Sequence, residues 1–192
     1  MISKCKKGIV SWLIEYGVIE YSDKELYEYA IHSLILSIAP LLVAFLFGIM
    51  MSACHEAVLM ILPFLAIRKY AGGFHAKKES TCFISSSLLL ALCVYLTGYL
   101  SYGIALNCFV AAAIISLMVF SPIDNENRRL DLEEKKRYKF LTCVLVLIVA
   151  AVYLLLVMCR AYNYAVCIAI GLMLSAGVQV PCILKRIVKI EY

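Results

Sequence analysis

Apolar runs recur along the whole chain, separated by short polar breaks. They cover residues 31–53, 57–67, 83–100, 104–120, 140–158 and 164–184. A helix rises about 1.5 Å per residue, so about 20 residues cross a ~30 Å hydrocarbon core. Five of the six runs approach or exceed that length. The second holds only 11 apolar residues, or about 16 Å of helix. It spans only by recruiting Cys54, His55 and Glu56 or by thinning the bilayer; the other choice is a re-entrant segment. Pro40 and Gly48 in the first run, and Pro63 in the second, are candidate kinks.

Ahead of these runs, Ile9, Trp12, Leu13, Tyr16 and Ile19 share one helical face, preceded by Lys4, Lys6 and Lys7. This predicts an amphipathic helix, lying in the membrane interface or packed on the bundle. A cleaved signal is not expected, because Glu15 interrupts the apolar part and no small-residue cleavage site follows. Ser22-Asp-Lys-Glu25 matches a capping box and predicts a helix start at Ser22. Asp131-Leu-Glu-Glu134 predicts another, within a long charged linker over 121–139 that opens with the Pro-containing turn Ser121-Pro-Ile-Asp-Asn-Glu-Asn127.

Composition agrees with the pattern. Hydrophobic residues make up 64% of the 192 positions and charged ones 16%, with a mean hydropathy of +0.92. A soluble domain of this length carries more charge. The fold expected is all-α: a polytopic membrane bundle of six transmembrane helices plus an N-terminal amphipathic interfacial helix. Residues 1–192 form one integral membrane domain, with 1–21 as the amphipathic part and 22–192 as the six-span bundle.

Charge fixes the expected orientation. With six spans and the N-terminus inside, 17 of the 18 Lys and Arg residues face the cytoplasm and only Arg160 lies outside. If 57–67 did not span, the basic loops around Arg68 and around 128–139 would both move outside, against the positive-inside bias. Both termini, and the polar segment 68–82, are therefore expected on the cytoplasmic side.

That segment, Arg68-Lys-Tyr-Ala-Gly-Gly-Phe-His-Ala-Lys-Lys-Glu-Ser-Thr-Cys82, holds the candidate chemistry. The nine cysteines are not a disulfide framework, since Cys93, Cys108, Cys143, Cys167 and Cys182 lie inside apolar runs. No CxxC pair or zinc spacing occurs, and neither metal nor cofactor is expected. Cys82 can act as a nucleophile and His75 as its base. Seven positions on one straight helix set them about 10.5 Å apart. A turn at Gly72-Gly73 could fold His75 back over the next helix start. Cys82 then falls in that helix's first turn, where the helix N-terminus, Arg68, Lys77 and Lys78 favour a thiolate. Candidates to orient the imidazole are Glu79, Ser80, Asp124 and Asn127, and backbone N–H groups at the helix start could hold an oxyanion. The bland alternative is an interfacial histidine and one more small apolar cysteine.

The stretch from Arg68 through Gly72, Gly73 and His75 to Cys82 resembles the signature of the accessory gene regulator protein B (AgrB) family. The Ser121-Pro-Ile-Asp-Asn-Glu-Asn-Arg128 linker is similar to that family's later cytoplasmic loop. The resemblance implies a bacterial membrane cysteine (thiol) endopeptidase that processes quorum-sensing propeptides, a function tied to virulence. His75 and Cys82 match the catalytic pair, and Arg68, Gly72 and Gly73 the supporting positions. The implied substrate is an AgrD-like propeptide with an amphipathic leader, a central segment carrying a Cys or Ser, and an acidic tail. Cleavage through a Cys82 thioester and macrocyclisation are the implied reaction.

The lipid bilayer is the second expected partner and nucleic acid is not expected. Gly171 and Ser175 form a small-xxx-small pair, which leaves homodimerisation open. The rival readings are a small transporter or permease, for which Glu56 and His55 are the only strong ionisable candidates, and a non-catalytic receptor or scaffold.

Overall fold

The computed structural model describes residues 2–73, 79–123 and 131–188. All regular structure in these segments is helical. The helices are α1 (Ile2–Glu15), α2 (Lys24–Met50), α3 (Cys54–Ala71), α4 (Glu79–Thr97), α5 (Ile104–Phe120), α6 (Leu132–Met158), α7 (Tyr162–Gly177) and α8 (Val180–Val188).

α2 to α7 run alternately up and down, because their links are short and built for reversal. After α2, Ser52 adopts φ 56°, with Ser52 N–H bonded to Ile49 O and Ala53 N–H to Gly48 O. After α6, Arg160 adopts φ 58° with the same pair of bonds to Val157 and Leu156. Gly17 closes α1 in this way too, at φ 66°. Each is a Schellman cap, which satisfies the last carbonyls of the helix and turns the chain. The first hairpin is tight: a Cβ on Gly48 would lie 2.7 Å from the Ala57 Cβ.

α7 is the centre. Residues Ala165 to Leu172 are buried in succession, so no face of this stretch is left for solvent. A helix apolar all round belongs in a core. Its small residues admit α3 closely: a Cβ on Gly171 would lie 2.5 Å from Met60 O and 2.7 Å from Pro63 Cγ. The Gly171–Ser175 pair thus serves packing within the chain, and the Ser175 hydroxyl donates to Gly171 O at 2.8 Å. α5 and α6 flank α7, and α2 packs on α4. The outer faces stay apolar. Leu34, Leu42 and Leu46 on α2, Ile84 and Leu88 on α4, and Leu147, Leu154 and Leu155 on α6 are all exposed. An exposed apolar surface of this extent marks lipid contact.

Several expectations change. α3 recruits Cys54, His55 and Glu56 and extends to Ala71; its 18 residues give about 27 Å, so the short run becomes a near-spanning helix. The Ser22 capping box does not form. A 3-10 turn over Tyr21–Asp23 precedes α2, and the Ser22 hydroxyl instead meets the Glu20 carboxylate at 3.3 Å. The predicted start at Asp131 does form, with Asp131 N–H donating to Glu134 at 3.3 Å. α1 packs on α2 and Val10, outside the predicted face, is buried, while Ile9, Trp12 and Tyr16 stay exposed. The last run does not stay one helix: it breaks at Val178–Gln179 between α7 and α8.

Among the described residues, three helical stretches are long and apolar enough to cross a bilayer, Ser80–Thr97, Leu132–Met158 and Tyr162–Leu184. Leu34–Met50 and Ile104–Phe120 are shorter apolar helices.

Candidate functional site

The alternation brings the C-terminal ends of α3, α5 and α7 together with the N-terminal end of α4. Cys82 is the fourth residue of α4, in its first turn as predicted, and half-buried. Arg68 lies in the last turn of α3. Its guanidinium is within electrostatic reach of both Cys82 and Cys182. An arginine in this setting keeps its charge. The same guanidinium sits 5.9 Å from the Phe64 ring centroid, which holds it from below.

The two glycines take conformations that explain them. Gly72 has φ 72° and ψ −163°, and Gly73 has φ 149°. Both lie where residues with a Cβ are strained. Space is short as well. A Cβ on Gly72 would sit 2.5 Å from Ile123 O, and one on Gly73 would run into the Arg68 guanidinium and approach Val178 O to 3.3 Å. Glycine is therefore required at both positions; the predicted turn that folds His75 back continues into residues 74–78, outside the described residues. His75, Lys77 and Lys78, to which it leads, lie outside the described residues, as do Asp124 and Asn127. Glu79 opens α4 and Ser80 is exposed on its first turn. Among the described residues no group of His, Cys, Asp and Glu is arranged to hold a metal.

Sequence reasoning passed over the residue that ties these pieces together. Gln179, the chain's only glutamine, is fully buried at the α7–α8 break. Its Nε2 donates to Ala71 O at 3.1 Å and to the Ser121 hydroxyl at 2.8 Å. Ile123 N–H donates to the same Ala71 carbonyl at 3.0 Å. One amide thus joins the end of α3, the end of α5 and the start of α8. The signal was a lone polar residue, between Gly177 and Pro181, inside an otherwise apolar run. Cys182 was read as a small hydrophobe, but it shares Arg68 with Cys82. The Ser121–Ile123 segment was read as a linker, but it docks on the glycine turn.

At the far end of the bundle lies a cavity of about 600 Å³ lined by Glu56, Thr97, Tyr99, Tyr102, Tyr162 and Asn163 among others. Its wall is ordered by Tyr153, whose hydroxyl donates to Asn107 Oδ1 at 2.6 Å, and by the stacked Tyr102–Tyr162 rings, 4.7 Å apart. It does not include Arg68 or Cys82.

Fold and site together define a helical, multi-pass membrane protein with a cysteine, an arginine and a glycine turn gathered at one end. The profile of the AgrB family, accessory gene regulator B, matches residues 6–180, and the chain belongs to that family. It is 23% identical over 124 residues to an AgrB-like protein of Clostridium perfringens strain SM101, covering 59% of this chain and 57% of the relative. A second AgrB-like protein, from Clostridium perfringens strain 13, is 24% identical over the same shares. An AgrB-like protein of Clostridium acetobutylicum is 32% identical over 95 residues, or 47% of this chain and 44% of the relative. The matched region therefore spans 57% of the length of the two Clostridium perfringens relatives and 44% of the third. No solved structure matches the chain.

Proposed function

We propose that this chain is a bacterial membrane cysteine endopeptidase that removes the C-terminal tail of an AgrD-like propeptide in quorum sensing. The observation that carries the reading is the convergence of Arg68, Cys82 and the Gly72–Gly73 turn at one end of the bundle. Family membership supports the substrate class. α2 to α7 are the six spans, and both termini and the site face the cytoplasm, where the positive-inside bias puts 17 of 18 basic residues. α1, with Trp12 and Tyr16 exposed, lies at the interface beside the amphipathic leader of the substrate.

In the reaction the Cys82 sulfur attacks the carbonyl carbon before the tail, with His75 taking the thiol proton. The tetrahedral oxyanion is met by N–H groups of the first turn of α4 and by Arg68. The C–N bond breaks, His75 gives its proton to the leaving amine, and the tail departs. The remaining peptide stays on Cys82 as a thioester. The peptide's own thiol or hydroxyl then attacks this carbonyl, closes the ring and returns the sulfur of Cys82. Exchange of one thioester for another is nearly isoenergetic, whereas hydrolysis discards the activation, so the site must exclude water. Lys77 and Lys78 attract the acidic tail.

Cleavage of a co-expressed propeptide tests this. Cys82→Ala and His75→Ala should each abolish tail removal at unchanged membrane levels, and Cys82→Ser should be far weaker than wild type. Tail removal at the wild-type rate by Cys82→Ala would sink the proposal.

A further inference from the structure

We propose that Gln179 is a positioning residue for this site: its buried carboxamide fixes the Gly72–Gly73 turn, and so the path of the chain toward His75. The inference rests on the endopeptidase reading and adds to it a residue from the opposite end of the sequence.

The amide has one chemically permitted orientation. Ala71 O can only accept, so the atom facing it must be Nε2, and the second N–H is then the one that reaches the Ser121 hydroxyl. One donor is thereby spent on the Ala71 backbone and the other on the Ser121 side chain, neither on solvent. Ala71 is the last residue of α3, and its carbonyl receives two donors, from Gln179 and from Ile123. That double anchor sits directly before Gly72, whose backbone lies against Ile123 O. The exit direction of the chain is therefore set from two sides, by α8 and by the Ser121–Ile123 segment.

The arrangement carries a cost that its two hydrogen bonds offset. Gln179 Oε1 is buried with no hydrogen-bond partner among the described residues. A buried acceptor left unpaired costs about 1–3 kcal/mol. A methionine or leucine would avoid that cost but would give up both hydrogen bonds, so what the glutamine adds is a fixed position for Ala71 O and Ser121. Arg68 shares the neighbourhood: its guanidinium lies against Gly73, which also approaches Val178 O, next to Gln179. A turn that drifted would move Arg68 relative to Cys82 as well as the histidine segment.

The test uses the full chain in proteoliposomes with a synthetic propeptide. Gln179→Met keeps the volume and removes both hydrogen bonds. Three quantities are read: kcat, KM, and the pH profile of Cys82 alkylation, followed at that cysteine by mass spectrometry. Gln179→Met should lower kcat about 10- to 100-fold, the scale of a misplaced catalytic group, with KM little changed. Its alkylation profile should move onto that of His75→Ala. Ser121→Ala, which removes one partner of the amide, should move both readouts the same way by less, and it decides the matter if Gln179→Met fails to fold.

Wild-type kcat and profile in the folded variants overturn the inference. So does a lowered kcat with a wild-type alkylation profile, which is what a merely structural role gives. If His75→Ala and Cys82→Ala cleave normally, the endopeptidase reading itself fails. If they are dead while Gln179→Met is normal, only this inference does.

Discussion

Substituting Gly72 by alanine tests the glycine turn with a cost that can be worked out. The backbone there, at φ 72° and ψ −163°, is strained for any residue with a Cβ by about 1–3 kcal/mol. The new Cβ would lie 2.5 Å from Ile123 O, about 1 Å inside ordinary contact distance. Relief requires the Ser121–Ile123 segment to retreat. That retreat stretches the Ile123 N–H bond to Ala71 O, now 3.0 Å, worth about 0.5–1.5 kcal/mol net. The total is about 1.5–4.5 kcal/mol, borne by one turn. It is less than a typical folding free energy of about 5–15 kcal/mol, so the bundle should stay intact while the turn undocks.

Gly72→Ala should therefore reach the membrane at wild-type levels and melt only slightly lower in detergent, yet remove the propeptide tail about 100-fold more slowly. Gly177→Ala is the matched control. A Cβ there meets nothing within 4 Å, and its turnover should be unchanged. Gly72→Ala with wild-type turnover would refute the claim that this turn supports the chemistry.

Two further substitutions separate site from scaffold. Gly171→Val puts methyl groups where Met60 O and Pro63 Cγ already crowd the Cα; it should cost about 1–3 kcal/mol or more and lower the melting temperature in detergent, and an unchanged melting curve would contradict the close α3–α7 packing. Arg68→Lys keeps the charge but loses the planar group seated between Phe64 and Gly73, so tail removal should fall about 10-fold, against about 100-fold or more for Arg68→Ala; equal activity of wild type and Arg68→Lys would reduce Arg68 to a point charge.

Much of the architecture is legible in the sequence because a bilayer imposes it. Apolar run length and short links predict α2 to α7 in order, and the boundaries of α5 match the predicted run. The charge argument asks the 57–67 run to cross; α3 lengthens that run to 18 residues by recruiting polar residues at both ends. Local signals did less well where tertiary packing competes. Ser22 matches a capping box by spacing, but a 3-10 turn takes its place. Gly171 and Ser175 suit a partner helix, and the partner is α3 of the same chain.

Within the site, Cys82, Arg68 and the glycine turn were legible because they sit in one short polar stretch. Gln179, Ser121 and Cys182 were not, because they arrive from α5, α7 and α8. Their proximity follows from helix order and packing, which no local window encodes. A lone glutamine in an apolar run was the available sign, since a buried amide must find partners.

The central claim is that Cys82 carries the peptide as a thioester. Wild-type protein in proteoliposomes should be mixed with a propeptide whose ring-closing Cys or Ser is replaced by alanine, so that the intermediate cannot resolve by cyclisation. Intact-mass measurement should then show the chain plus the tail-less peptide, lost on hydroxylamine treatment and absent from Cys82→Ala. Tail release by wild type with no adduct on Cys82, or an adduct that maps to another residue, would contradict the account.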